Sequence, residues 1–195
     1  MATICGKIAQ DQSYDCNNPI FGGAESTIYI FNRDDVDVIT RDVTNPLLIT
    51  ALTLKAGARG YRYEGMNKST APQVDLVKGD YSTRFNHIVN FLVFKNTAET
   101  KQEISKMAVG SFFVIVENKM KSGDSVFEIY GLDQGLELAA QTIRNINDAA
   151  SGGAWTLQLA SVADQEEPRP PASFFVTDLA ATRTAVAALT TPAAP

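Results

Sequence analysis

Tyr81-Ser82-Thr83-Arg84-Phe85-Asn86-His87-Ile88-Val89-Asn90-Phe91-Leu92-Val93-Phe94 is the longest extended run in the chain. Its β-branched and aromatic residues favour a pleated conformation. Phe85, His87, Val89, Phe91 and Val93 fall on one face, and Arg84, Asn86, Ile88, Asn90, Leu92 and Phe94 on the other. Apolar groups on both faces predict cover on both sides, by the core on one and by a neighbour on the other.

Downstream, Thr97 or Thr100 is placed to cap a helix, and Thr100-x-x-Glu103 matches a capping box. Ile104, Met107 and Ala108 follow at helical spacing, and Gly110 closes the element. Phe112–Glu117 and Val126–Tyr130 then form a hairpin around Lys121-Ser122-Gly123-Asp124. Residues 135–147 have mixed helical character, with Leu138 and Ile143 apolar. Trp155-Thr156-Leu157-Gln158-Leu159 is the cleanest alternation, with Trp155, Leu157 and Leu159 inward. Glu166-Glu167-Pro168-Arg169-Pro170-Pro171 reads as a stiff extended linker. The tail over 176–195, rich in Ala, Thr and Pro, has little to bury and is expected to be mobile or to dock on a neighbour.

Upstream, residues 1–25 read as an extended arm ending in the turn cluster Asn18-Pro19-Ile20-Phe21-Gly22-Gly23. Strands are predicted at Ser26–Asn32, Val36–Thr40, Leu47–Leu54 and Tyr61–Glu64. Residues 65–80 read as a long polar loop with a short strand at Val74–Val77. Strands predominate on both sides of the helix. The expected fold is mainly β (α+β): a β-sandwich or flattened barrel of about seven to nine strands with one packed helix, over a single domain at 1–175.

Composition narrows the function. The 195 residues are 45% apolar and 20% charged, a globular balance. A net charge of −5 argues against binding duplex DNA, which needs a clustered basic face, but leaves open a surface past which DNA slides, since like charge repels. Lys95, Lys101, Lys106, Lys119 and Lys121 are interspersed with acids, and Tyr61-Arg62-Tyr63 is a single aromatic–basic triplet, better read as cross-strand packing. No stretch approaches the roughly 18 apolar residues of a membrane span, and the N-terminus lacks the pattern of a secretory signal. Folding in a reducing cytoplasm is expected, with a Cys5–Cys16 bridge left open.

Two Cys and one His cannot close a structural zinc site. Asp34-Asp35-x-Asp37 lacks the spacing of a calcium loop and reads as a solvated turn. His87, the lone histidine, sits on an apolar strand face and reads as a satisfied core or interface residue. Cys16 with His87 has no local signature of a nucleophile and base. Gly131-Leu132-Asp133-Gln134-Gly135 follows a strand as a nucleotide loop would, but lacks the G-x-G-x-x-G spacing and a G-K-[ST] ending, so a turn is expected. No catalytic, cofactor-binding or metal-binding residue is therefore nominated, and the chain is read as not an enzyme.

Asp15-Cys16-x-Asn18-Pro19-x-x-Gly22-Gly23, the strand at Ile28–Asn32, Phe127-Glu128-Ile129-Tyr130-Gly131 with Gly135-Leu136, and Gly152-Gly153 before a Leu-x-Leu strand with Glu167-Pro168 beyond form a pattern over most of residues 1–175. In these features the chain resembles a family of virion proteins from tailed phages and prophages of Bacteroidota. Its element order is similar to the tail-tube fold. That resemblance implies hexameric rings whose inner strands join into a β-barrel around a DNA-conducting channel. It implies residues 47–64 and 81–94 as lumen strands, 65–80 as a projecting loop, and the termini as arms between rings. The implied partners are further copies of the chain, other tail or neck proteins, and DNA in transit, in a virion tail assembled in the host cytoplasm. Another virion role (neck, head-completion, decoration or baseplate) and an enzyme or small-molecule binder are the competing readings.

Overall fold

The computed structural model describes Ile8, residues 10–13 and residues 22–192. Most of the expected arm, and both Cys5 and Cys16 with any bridge or catalytic role for them, lie outside the described residues. The elements in chain order are β1 (Ala24–Asn32), a 3₁₀ turn (Arg33–Asp35), β2 (Val36–Arg41), β3 (Leu48–Leu54), β4 (Tyr61–Glu64), β5 (Thr70–Lys78), β6 (Thr83–Val93) and α1 (Ala98–Met107). They continue with β7 (Phe112–Asn118), β8 (Phe127–Tyr130), β9 (Glu137–Leu138), β10 (Trp155–Ala160), β11 (Ala172–Phe174) and α2 (Leu179–Thr190).

The strands form two sheets, one of seven in the order β2-β3-β11-β8-β7-β1-β4 and one of four in the order β5-β6-β10-β9. The protein is mainly β, and each sheet is open, so the flattened-barrel alternative gives way to two stacked sheets. β7 explains the layering. Phe112, Val114 and Val116 face a core shared with Val89, Phe91, Leu157 and Leu159 of the smaller sheet and with Ile104 and Met107 of α1. Phe113 and Ile115 face a second core with Phe31, Ile49, Phe127, Ile129 and Phe174. Val186 of α2 is buried in that second core, and Leu179 and Leu189 pack against it. A continuous apolar run is what a strand covered on both faces requires. Phe31 and Phe113, register partners across β1 and β7, stack with ring centroids 4.7 Å apart.

Four expectations need correction. Residues 65–80 are not a long loop, because β5 spans nine residues and pairs with β6 from Thr70↔Phe91 to Lys78↔Thr83. Its inward residues Thr70, Pro72 and Val74 are small or polar, so the alternation is faint in the sequence. Residues 135–147 form no helix; Leu138 pairs with Leu159, and Ile143 exchanges both backbone hydrogen bonds with Thr156 at 2.9 Å. The linker at 166–171 is folded in, since Glu167 forms an antiparallel bridge with Phe85. The tail from 176 buries more than expected over its described part. Asp178 caps α2, and Thr182 and Val186 are buried, so two helices pack on the sheets where one was expected.

Other elements stand where the pattern places them. α1 takes Thr97 as its cap, with Thr97 Oγ1 accepting from the Thr100 backbone N–H at 3.3 Å. Glu103 does not complete a capping box; it accepts from Lys106 Nζ at 2.6 Å. The β7–β8 hairpin and β10 follow their predicted ranges within one or two residues.

Candidate assembly surface and the buried polar turn

β6 delivers His87 into the core, where it is 2% exposed. The Gly131 N–H donates to His87 Nδ1 at 3.1 Å, so that nitrogen is unprotonated. Nε2 therefore carries the hydrogen and donates to the Arg169 carbonyl at 3.0 Å. Both ring nitrogens are satisfied in the neutral form. Burial pushes the imidazole down to about 4, against the Arg169 carbonyl and Asp133, which pull it upward. The void beside it measures about 10 Å³, room for about one water and no substrate.

The turn Gly131–Gly135 is a turn at a strand end, as its spacing predicts. Its amides nevertheless converge on an anion. Glu167 Oε1 accepts from the N–H groups of Gln134 (2.8 Å) and Gly135 (3.2 Å), and Oε2 from that of Asp133 (3.1 Å). Glu167 is 2% exposed. Burial holds its carboxyl above the ordinary range, opposed by those three N–H donors, while the neighbouring Asp133 charge adds to the rise. Asp133 points to other partners: Arg41 lies 2.6 Å from Oδ1 and Arg169 lies 3.7 Å from Oδ2. Arg33 donates to the Asp133 carbonyl at 2.9 Å. One five-residue turn thus ties together β6, the edge at β2 and the 167–169 segment.

The sequence-nominated charged features are dispersed. Asp35 accepts from Asn32 Nδ2 at 2.8 Å, and Asp34 and Asp37 face solvent. Among the described residues no group of three or more His, Cys, Asp or Glu could hold a metal ion. Tyr63 is the register partner of Ile28 across β1 and β4, as cross-strand packing predicts; its ring also packs edge-on against Phe91 of the facing sheet with centroids 5.8 Å apart, and burial pushes its phenol up to about 12. Arg62 lies 3.2 Å from Glu64, Lys95 3.6 Å from Glu99, and Lys121 2.9 Å from both Glu25 and Glu117. A cleft of about 510 Å³ between β4, the end of β6 and α1 carries Glu64, Glu99 and Glu103 beside Arg62 and Lys95. Among the described residues, no helix is long and apolar enough to cross a membrane.

The smaller sheet offers a broad surface. The register puts Ala71, Gln73, Asp75 and Val77 of β5 on its outer face with Arg84, Asn86, Ile88, Asn90 and Leu92 of β6 and Thr156, Gln158 and Ala160 of β10. Amides and aliphatics dominate, with few charges. Gln158 Nε2 donates to Asn90 Oδ1 at 2.8 Å, whereas Asn86 Oδ1 is buried without a partner among the described residues. β5 and β9 are its edges. Leu92 N–H donates to the Ser69 carbonyl at 3.1 Å, and the one-to-one register from there sends the N–H groups of residues 74, 76 and 78 away from β6. Pro72 occupies a further such position, where its missing N–H leaves the ladder intact.

The expected lumen segments do not form one surface. Residues 47–64 divide between β3 and β4, which lie near opposite edges of the larger sheet, and 81–94 supplies β6 of the smaller one. The parts of 65–80 outside a strand shrink to 65–69 and 79–80, the latter within the hairpin tip before β6, where Tyr81 is fully exposed. Sequence reasoning missed Glu167, because a cradle of backbone amides leaves no side-chain signature; the paired glycines of the 131–135 turn were its one visible trace. Compared with known protein families, with curated proteins and with solved structures, the chain matches none.

Proposed function

We propose that this chain is a structural subunit of a tailed-phage virion, of tail-tube type, whose copies join through the smaller sheet. The observation that carries the reading is the geometry of that sheet's edges. β5 is antiparallel to β6, β6 to β10, and β10 to β9. β9 therefore runs opposite to β5, and the β9 edge of one copy meets the β5 edge of the next as an antiparallel pair. A heterologous contact of this kind closes into a ring when the rotation permits.

Long unpaired edges are ordinarily blunted in proteins that stay apart, because each free N–H and C=O is a template for another strand. β5 has one proline and otherwise keeps its outward donors. The outer face, with its Gln158–Asn90 amide pair and few charges, suits either a wet channel lining or a neighbour's surface. A net charge of −5 suits a channel through which DNA moves without adhering. The sequence resemblance points the same way.

Leu76→Pro tests the edge. The Leu76 N–H makes no bond to β6, so proline leaves the fold's own ladder whole and blocks strand addition from outside. The expected result is a melting temperature within about 3 °C of the parent, with rings and stacks lost in negative-stain micrographs. A parent chain that stays monomeric at high concentration and is missing from virion fractions would overturn the assignment.

A further inference from the structure

We infer that Gly131–Gly135 is a carboxylate-binding site made of backbone amides, occupied by Glu167 as an internal ligand, and that it takes a free planar carboxylate when that side chain is removed. The inference stands apart from the assembly reading.

Three N–H groups converge on two oxygens at 2.8–3.2 Å, and no cation lies within ion-pair distance of Glu167 among the described residues. The negative charge is met by oriented peptide dipoles, the arrangement by which backbone nests hold anions. The receptor is shaped independently of its occupant. Gly131 and Gly135 have φ of +74° and +95°, a region that residues bearing a Cβ rarely adopt. A Cβ on Gly135 would come within 2.2 Å of Ser111 Oγ, and one on Gly131 within 2.4 Å of Leu136 Cγ. Outside the nest the turn is fixed from four directions. His87 accepts from the Gly131 N–H, Arg33 donates to the Asp133 carbonyl, Arg41 grips the Asp133 side chain, and Leu136 exchanges both backbone hydrogen bonds with Phe112 at 2.7 and 2.8 Å. These contacts survive removal of the Glu167 carboxylate. What remains is a preformed cavity with three orphaned donors, whose chemistry selects a small planar carboxylate over a spherical halide.

The test compares full-length parent, Glu167→Ala and Glu166→Ala by thermal melting in sodium formate and in sodium chloride at equal ionic strength. The expected result is a melting temperature about 5 °C lower for Glu167→Ala in chloride. Formate then restores part of it along a saturating curve, as binding to the folded state alone demands. The parent and Glu166→Ala respond equally to both salts. Equal melting of Glu167→Ala in formate and chloride overturns the inference, as does a formate response of the same size in the parent. Should Glu167→Ala not fold in chloride, native circular dichroism regained in formate supports the site, and its failure in both salts overturns it. In the parent, the Asp133, Gln134 and Gly135 amides should exchange at least about 100-fold more slowly than in a free peptide; free-peptide rates also overturn it.

Discussion

Acid should destabilise this protein through His87, by an amount the structure sets. The imidazole fits only when neutral, since one nitrogen accepts from the Gly131 N–H and the other donates to the Arg169 carbonyl. A second proton on the ring would face the Gly131 donor with another donor. The unfolded chain protonates near the ordinary 6.5, and the folded chain near 4. Between those values the unfolded state binds the extra proton, so stability rises with pH across the window and falls as acid is added. At about 1.4 kcal/mol for each unit of pKa, the whole window is worth about 3 kcal/mol. Glu167 has the opposite sign. Its raised carboxyl favours the folded state on protonation, and the stability so gained is lost as pH rises through its folded value. Asp133, Arg41 and Arg169 also face this corner of the core. Comparison with His87→Gln separates the effects, because Gln does not titrate while the other groups are common to both chains. Urea denaturation at pH 7, 6, 5 and 4.5 should show the parent losing about 2–3 kcal/mol more than His87→Gln. A constant difference between the two proteins over that range would refute the reasoning.

Phe113→Ala removes a fully buried ring stacked on Phe31, and should cost about 3–5 kcal/mol in urea unfolding. Asp178→Ala removes the α2 cap, whose carboxylate accepts from the Ala181 N–H at 2.7 Å. It should cost about 1 kcal/mol, read as a melting decrease of about 2–4 °C.

The elements legible in the sequence are those whose apolar residues are large and regularly spaced. β7 reads directly because Phe112–Val116 fills both cores, and β10 because Trp155, Leu157 and Leu159 alternate cleanly. β5 was obscured by its place at an edge: Thr70, Pro72 and Asp75 are tolerable only where one face and one side meet solvent. α2 was obscured by small side chains. Its buried stripe rests on Thr182 and Val186, with Thr182 Oγ1 donating to the Asp178 carbonyl at 2.7 Å, so a polar residue fills a core position. The apolar strand face around His87 predicts a satisfied core residue, yet its partners are a glycine N–H and an arginine carbonyl from distant segments, and no local spacing encodes them. Tyr63 beside Ile28 is legible for the opposite reason, since aromatic and β-branched residues pair across a sheet, whereas its contact with Phe91 of the other sheet has no local signal.

The place of β11 carries a consequence for biosynthesis. Three residues near the C-terminal end slot between β3 and β8, parallel to the first and antiparallel to the second. Ribosomal synthesis runs from β3 towards β11, so both flanking strands emerge with their facing hydrogen-bond groups open to water. They stay open until more than a hundred further residues have followed β3. Contacts so distant along the chain make folding slow, because a long loop must close before any pairing energy is returned. Until then β2 and β3 stand apart from the four strands β8, β7, β1 and β4, and the two facing edges are templates for pairing with other chains.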